Sequence, residues 1–174
     1  MSDSILIRAA SREAAVLLSY LSTVTFYETY EHSTPADTMS EYVEKYFSER
    51  VIINEIRNDI SRYFIAMKNE EPTGYVKIGS TIQPKKIGNQ LNFEVERLYV
   101  LQKFQEKGIG KKLLDYCVQT AQDEKIPVIW LSVWKENERA IEFYKRNGFE
   151  IFDTVDFYLM DQVYDDYLMK KEIG

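Results

Sequence analysis

The sequence predicts an α/β fold built on a mixed sheet. Three observations carry that prediction. Extended runs alternate with helical periodicities, a strand, glycine turn, helix, strand succession occupies residues 91–133, and 174 residues of 45% apolar content can fill one core. Strands joined through a helix in one sheet run parallel and strands joined by a short turn run antiparallel, so both kinds of pairing are expected.

Taken in order, Ile5 to Ile7 form a short strand, and a helix follows from Ser11, with Ala14, Leu17, Leu18, Leu21, Val24 and Thr25 at helical spacing towards Tyr27. His32-Ser33-Thr34-Pro35 breaks it, and the apolar positions from Met39 to Ile60 predict one bent or two short helices. Tyr63 to Met67 and Tyr75 to Ile78 flank the turn-rich Asn69-Glu70-Glu71-Pro72-Thr73-Gly74 and predict a hairpin. A polar stretch from Gln83 to Gln90 leads into Leu91 to Val100, whose alternation gives way to continuous apolarity and predicts a strand buried late. From Gly110, the residues Leu113, Leu114, Cys117, Val118 and Ala121 share a helix face, and Pro127 to Val133 read as a buried strand. Asn137 to Arg146 is a second helix, ended by Asn147-Gly148. Ile151 to Met160 and Tyr167 to Ile173 complete the chain as strands, so one domain over 1–174 is expected.

Composition narrows the chemistry. Twenty-eight acidic residues against 22 basic ones, a net charge of -6, argue against a grip on nucleic acid and favour cationic small partners. One Cys (Cys117) and one His (His32) rule out an internal disulfide and a Cys/His zinc site, so no metal is expected. No apolar run reaches the length of a membrane span, and Met1-Ser2-Asp3-Ser4 lacks a basic secretory start, so a reducing cytoplasm away from membranes is expected. Glu150, Asp153, Asp156, Asp161, Asp165 and Asp166 form an acidic tract that either attracts a polycation or makes a solvated edge.

Between a strand and a helix, Gln105-Glu106-Lys107-Gly108-Ile109-Gly110-Lys111-Lys112 offers backbone N–H groups, a helix dipole and lysines to a docked phosphate. A tight turn with solvated lysines explains the same residues. The segment is not a Walker A loop, because Gln105 stands at its first glycine and Lys112 follows Lys111. Nor is it a dinucleotide fingerprint, because Leu113 replaces the third glycine. A serine or cysteine hydrolase motif is missing too.

Gln105-x-x-Gly108-x-Gly110 after one strand, with Asn137-x-x-Ala140-x-x-Phe143-Tyr144-x-x-x-Gly148-Phe149 after the next, resembles the GCN5-related N-acetyltransferases over essentially the whole chain. Thr25-Phe26-Tyr27-Glu28-Thr29-Tyr30 and Val133-Trp134-Lys135-Glu136-Asn137 are similar to the bacterial spermidine/spermine acetyltransferases within that superfamily. The resemblance implies a mostly antiparallel sheet whose central parallel pair is splayed for acetyl-CoA, with helices on both faces. It also implies acetyl-CoA as donor, a primary amine as acceptor and direct attack on the thioester.

An alkyl amine must lose a proton before it attacks, at a cost of about 4.6 kcal/mol at pH 7 from a pKa of about 10.4. Glu96 is the expected base, directly or through a water, with Glu94 the substitute on the same strand face. Two solvated carboxylates at a strand end are the plainer alternative. The resemblance further places the backbone of Leu98, Tyr99 and Val100 along the pantetheine arm and that of Gln105, Glu106, Lys107, Gly108, Ile109, Gly110 and Lys111 at the pyrophosphate. It makes Tyr144 the acid for the departing thiolate and gives Asn137 and Ala140 contacts to the cofactor, although Asn137 is equally a good helix cap. Tyr27, Glu28 and Tyr30 are expected to line the amine pocket. Partners are thus a small amine and acetyl-CoA, with a homodimer left open. Acetylation of protein N-termini or lysines, and a cofactor-binding module without turnover, are the competing readings.

Overall fold

The computed structural model describes residues 4–79 and 84–174, so Gln83 of the polar stretch lies outside the described residues. Seven strands, β1 (Ile5–Ala9), β2 (Ser61–Lys68), β3 (Glu71–Gly79), β4 (Asn92–Val100), β5 (Val128–Trp134), β6 (Glu150–Leu159) and β7 (Gln162–Glu172), hydrogen-bond in the order β1-β2-β3-β4-β5-β7-β6. The helices are α1 (Ala15–Tyr30), α2 (Ala36–Phe47), α3 (Glu49–Arg57), α4 (Ile109–Asp123) and α5 (Glu138–Arg146). The expected α/β class holds: β4 and β5 are parallel, and the β1–β2, β5–β7 and β6–β7 pairs are antiparallel. No helix among the described residues is long and apolar enough to cross a membrane.

The described residues form two compact units, one of residues 4–78 with 97–116 and one of the remainder. In the first, α1 buries Leu18, Leu21, Ser22, Thr25 and Phe26. Its apolar side packs with Ile52 of α3 against Tyr63, Ile65 and Tyr75 of the sheet. Phe64, pointing the other way from β2, meets Tyr116 of α4 at 4.8 Å between ring centroids. Pro35 ends the connection after α1, and the extended Ser48 (ψ 146°) separates α2 from α3, which settles the bent-or-two alternative as two helices.

Two expectations need correction here. The β2–β3 turn is Asn69-Glu70 alone, both at positive φ (51° and 64°) as a type I′ turn requires, and Glu71 to Gly74 belong to β3 rather than to a linker. Strand β4 is buried early rather than late: Asn92, Phe93 and Val95 are buried, whereas Arg97 to Val100 are half-buried. Its pairing with β5 lies at its first residues, Asn92, Phe93 and Glu94 being opposite Val128, Ile129 and Trp130.

In the second unit, β5 carries the antiparallel β7, and β6 closes on β7 through Met160-Asp161, with a bulge between Ile151 and Asp153. Strand β7 therefore begins at Gln162, five residues before its expected start at Tyr167, because the turn is tight and the ladder continues through the acidic tract. Trp130 donates its indole N–H to Asn92 Oδ1 at 2.9 Å, which satisfies two buried polar groups inside this sheet.

Candidate active site

The first unit carries the phosphate-type turn. After β4, Leu101 N–H donates to Thr73 O at 2.9 Å, and Gln105 donates from Nε2 to Val100 O at 3.1 Å. The chain is thus tied back to the strand it has just left. Glu106 (φ 63°) and Gly108 (φ 77°) are left-handed, an alternation of backbone hands that points successive N–H groups into one concavity. Helix α4 begins at Ile109, and the N–H groups of Ile109, Gly110 and Lys111 precede its first bond, Lys112 N–H to Gly108 O at 3.1 Å. A Cβ built on Gly108 has nothing within 4 Å, so the turn leaves room for a ligand oxygen against the backbone. These residues fit a pyrophosphate.

The lysines contribute less than the sequence implies. Lys111 is paired with Asp115 at 2.7 Å, and Lys107 donates to Lys103 O at 2.9 Å while lying over the Phe104 ring. Lys103 itself pairs with Glu71. The turn's attraction for anions therefore rests on its backbone and on the α4 dipole, with Lys107 and Lys112 as its remaining cationic side chains.

Of the expected amine-pocket residues, Glu28 accepts the Gln102 N–H on Oε2 at 2.9 Å, so its carboxylate anchors the start of the turn. Tyr30 lies beside Tyr99, whose hydroxyl is pushed well above the usual tyrosine range by burial and then by the Tyr30 phenol. Tyr27 is half-buried, edge-on to Phe26 at 6.4 Å. Leu98 and Val100 alternate with Tyr99 along half-buried β4, and Val100 backs onto Gly74.

In the second unit, Glu94 and Glu96 are half-buried, and strand alternation gives them one face. Asn137 caps α5, its Oδ1 accepting the Ala140 N–H at 3.1 Å. Two turns further on, Tyr144 is buried between Phe143 and Phe149, with centroids at 5.3 and 5.7 Å. Three of the six acids of the tract are answered by cations, one of them Glu150, with Lys170 at 3.5 Å. Lys86 pairs with Asp153 and pulls its pKa down, and Lys135 pairs with Asp165. Asp166 accepts the Ser132 hydroxyl at 2.6 Å, and burial raises its pKa. This distribution favours the solvated edge over a polycation groove.

Sequence reasoning missed a polar cluster in the first unit. Tyr63 and Tyr75 stack at 6.4 Å, and Tyr75 and Tyr99 at 6.1 Å, across β2, β3 and β4. Lys77 and Arg97 stand one alternation along on β3 and β4, and Glu55 of α3 accepts from Tyr63 at 2.5 Å and from Lys77 at 3.0 Å. The available signal was a lone cation inside each strand, Val76-Lys77-Ile78 and Glu96-Arg97-Leu98.

Comparison with known proteins agrees with this fold. Residues 23–149 match the model of the acetyltransferase (GNAT) family. An uncharacterized N-acetyltransferase of Lactobacillus delbrueckii subsp. lactis is 29% identical over 153 residues, 88% of each chain. A spermine/spermidine N(1)-acetyltransferase of Bacillus subtilis is 36% identical over 64 residues, 36% of this chain and 42% of that relative. The crystal structure of the PaiA N-acetyltransferase from Thermoplasma acidophilum in complex with coenzyme A superposes with a TM-score of 0.79 at 23% identity, covering 97% of this chain and 99% of that one.

Proposed function

The chain belongs to the GNAT family of acetyltransferases, acetyl-CoA-dependent enzymes, and from that premise we propose that it acetylates a small primary amine with Glu96 as base and Tyr144 as acid. The observation that carries the reading is the turn from Gln105 to Lys111, whose left-handed Glu106 and Gly108 open ahead of α4. Acetyl-CoA supplies an activated acetyl thioester. Backbone N–H groups of this turn hold its pyrophosphate, and the main chain of Leu98 to Val100 lies along its pantetheine arm, one N–H polarising the carbonyl for about 3 kcal/mol. Glu96, or Glu94 in its place, takes the proton that the amine loses as the C–N bond forms, directly or through a water. Tyr144 gives the proton that the thiolate needs as the C–S bond breaks. Asn137 and Ala140 support the cofactor from α5, and Tyr27, Glu28 and Tyr30 belong to the acceptor side.

The domain assignment is one acetyltransferase domain over residues 1–174, working in a reducing cytoplasm where the buried Cys117 thiol stays reduced. Spermidine or spermine is the acceptor class that the partial Bacillus relative supports. Calorimetry with acetyl-CoA and a thiol-release assay with spermidine and with peptides test the reading. Cofactor binding with release from small amines is expected. No heat on adding acetyl-CoA overturns the reading, and release with peptides alone moves the acceptor to protein termini or lysines.

A further inference from the structure

One acid of the tract differs from the others. Asp166 on β7 is only 6% exposed, and its Oδ1 is shut off from solvent with no hydrogen-bond partner among the described residues, while Oδ2 accepts the Ser132 hydroxyl at 2.6 Å. A buried carboxylate satisfied on one oxygen is costly, and what completes it is a donor or a cation. Lys135 is not that cation. It pairs with Asp165 and lies over the Tyr167 ring at 5.0 Å, and both of these residues alternate to the face of β7 opposite Asp166.

Strand register, fixed by two side-chain bonds, puts this carboxylate on the face that carries the expected base. Glu94 lies opposite Trp130, and Trp130 donates to Asn92, so Asn92, Glu94 and, by alternation, Glu96 share the face of Trp130, Ser132 and Trp134. Asp166 stands opposite Trp134, and its bond to Ser132 holds it on that same face. Glu96 and Asp166 are two strand spacings and one alternation apart, roughly 12 Å between Cα atoms at about 4.8 Å per strand and about 3.3 Å per residue. Ile87 covers the end of the face where β4 and β5 begin, packing with Val128, Trp130 and Leu168. Towards the end of β5 the cover thins: Ser132, Trp134 and Tyr164 are half-buried, and Val155, opposite Asp166 on β6, is 42% exposed.

The neighbours of the carboxylate indicate its guest. Trp134 stands across from Asp166 and Tyr164 one alternation along, and their rings meet edge-on at 5.5 Å. A carboxylate beside two aromatic rings suits an ammonium, which takes the free oxygen as acceptor and a ring face as a second contact. We propose that Asp166, with Ser132, Trp134 and Tyr164, binds a second ammonium of the acceptor and so selects diamines over monoamines, the rest of the acidic tract remaining a solvated edge. The proposal rests on the acetyltransfer reading, with the reacting nitrogen at Glu96 or Glu94, and assigns the residues that choose the substrate.

Chain-matched acceptors test it: cadaverine, 5-aminopentan-1-ol and pentylamine, then 1,3-diaminopropane against propylamine, each assayed for coenzyme A release. Cadaverine should exceed pentylamine in kcat/KM by at least about tenfold, with the alcohol between, because the alkylamine leaves a buried carboxylate unmatched. The advantage should shrink for the propyl pair, which is too short to join the two carboxylates. Asp166→Asn keeps the shape of the side chain and should bring cadaverine and pentylamine to near parity through KM while acetyl-CoA affinity is unchanged. Asp156→Asn removes the same charge from an exposed position of β6 and should keep the preference. Tyr164→Leu, the second variant at the site, should reduce the preference without removing the charge. Equal use of diamines and monoamines, no turnover of any of these amines, a preference that survives both site variants, or an equal loss in Asp156→Asn would overturn the proposal. Failure of acetyl-CoA to bind in calorimetry would instead remove the acetyltransfer reading itself.

Discussion

At the scale of single residues, two glycines separate a functional from a structural constraint. Gly108 is left-handed with open space around a would-be Cβ, so a side chain there strains the backbone by about 1–2 kcal/mol without displacing a neighbour. Gly108→Asp should therefore leave a folded protein but place a carboxylate against the pyrophosphate, weakening acetyl-CoA by at least about tenfold in calorimetry. Unchanged affinity would detach the turn from the cofactor. At Gly74 a Cβ would lie 2.5 Å from Tyr99 O, a backbone atom that cannot swing away. Gly74→Ala should thus cost about 1–3 kcal/mol or more through lost β3–β4 pairing, seen as a fall in Tm. Glu96→Gln is a chemical test: turnover should drop most at low pH, where the amine carries its proton, and recover as pH rises towards about 10, where the amine deprotonates unaided. A loss independent of pH would move the base elsewhere.

At the scale of elements, α5 shows what one residue can do twice. Asn137 caps it through the Ala140 N–H, so Asn137→Ala should lower stability by about 1 kcal/mol, about 2–4 °C in Tm for a chain of this size. If acetyl-CoA affinity falls as well, the residue also serves the cofactor; if affinity holds, the cap is its whole role. Strand β7 offers a pH test. The Asp166 pKa is raised by burial, against the Ser132 hydroxyl bond and Lys135, with Asp165 adding to the rise. A carboxyl raised on folding destabilises the native state once it ionises, so its contribution is whole below the ordinary aspartate range and is lost as pH climbs through the raised value. Tm should fall over that window in the wild type, and Asp166→Asn should flatten the fall. Caps and turns were legible beforehand because their signals are local: Asn137, Asn147-Gly148 and Pro35 stand where the chain changes direction. The start of β7 was not, since Gln162 to Asp166 are too polar for a strand by composition and pair because the Met160-Asp161 turn aligns them with β6. The cluster of Tyr63, Tyr75, Lys77, Arg97 and Glu55 was equally hidden, because it joins α3, β2, β3 and β4 and no stretch of sequence holds more than two of these members.

At the scale of the whole molecule, a net charge of -6 has to be reconciled with a highly anionic donor. If the sequence's lysines near the turn did the recognising, binding would be a screened attraction and would weaken steeply with salt. Pairing of Lys111 with Asp115 and of Lys103 with Glu71 removes part of that field locally, Lys107 and Lys112 keeping their charge, and the acidic surface elsewhere repels the donor at long range. Short-range donors, the N–H groups of the turn and the α4 dipole, are screened far less because ions cannot enter between them and the ligand. Acetyl-CoA affinity should consequently change less than about threefold between about 50 and about 300 mM NaCl, with the association rate rising as long-range repulsion is screened. Lys111→Ala should alter affinity little, since it removes a cation already matched by Asp115. A drop of about tenfold or more across the same salt range would mean that side-chain charge, not backbone geometry, selects the donor.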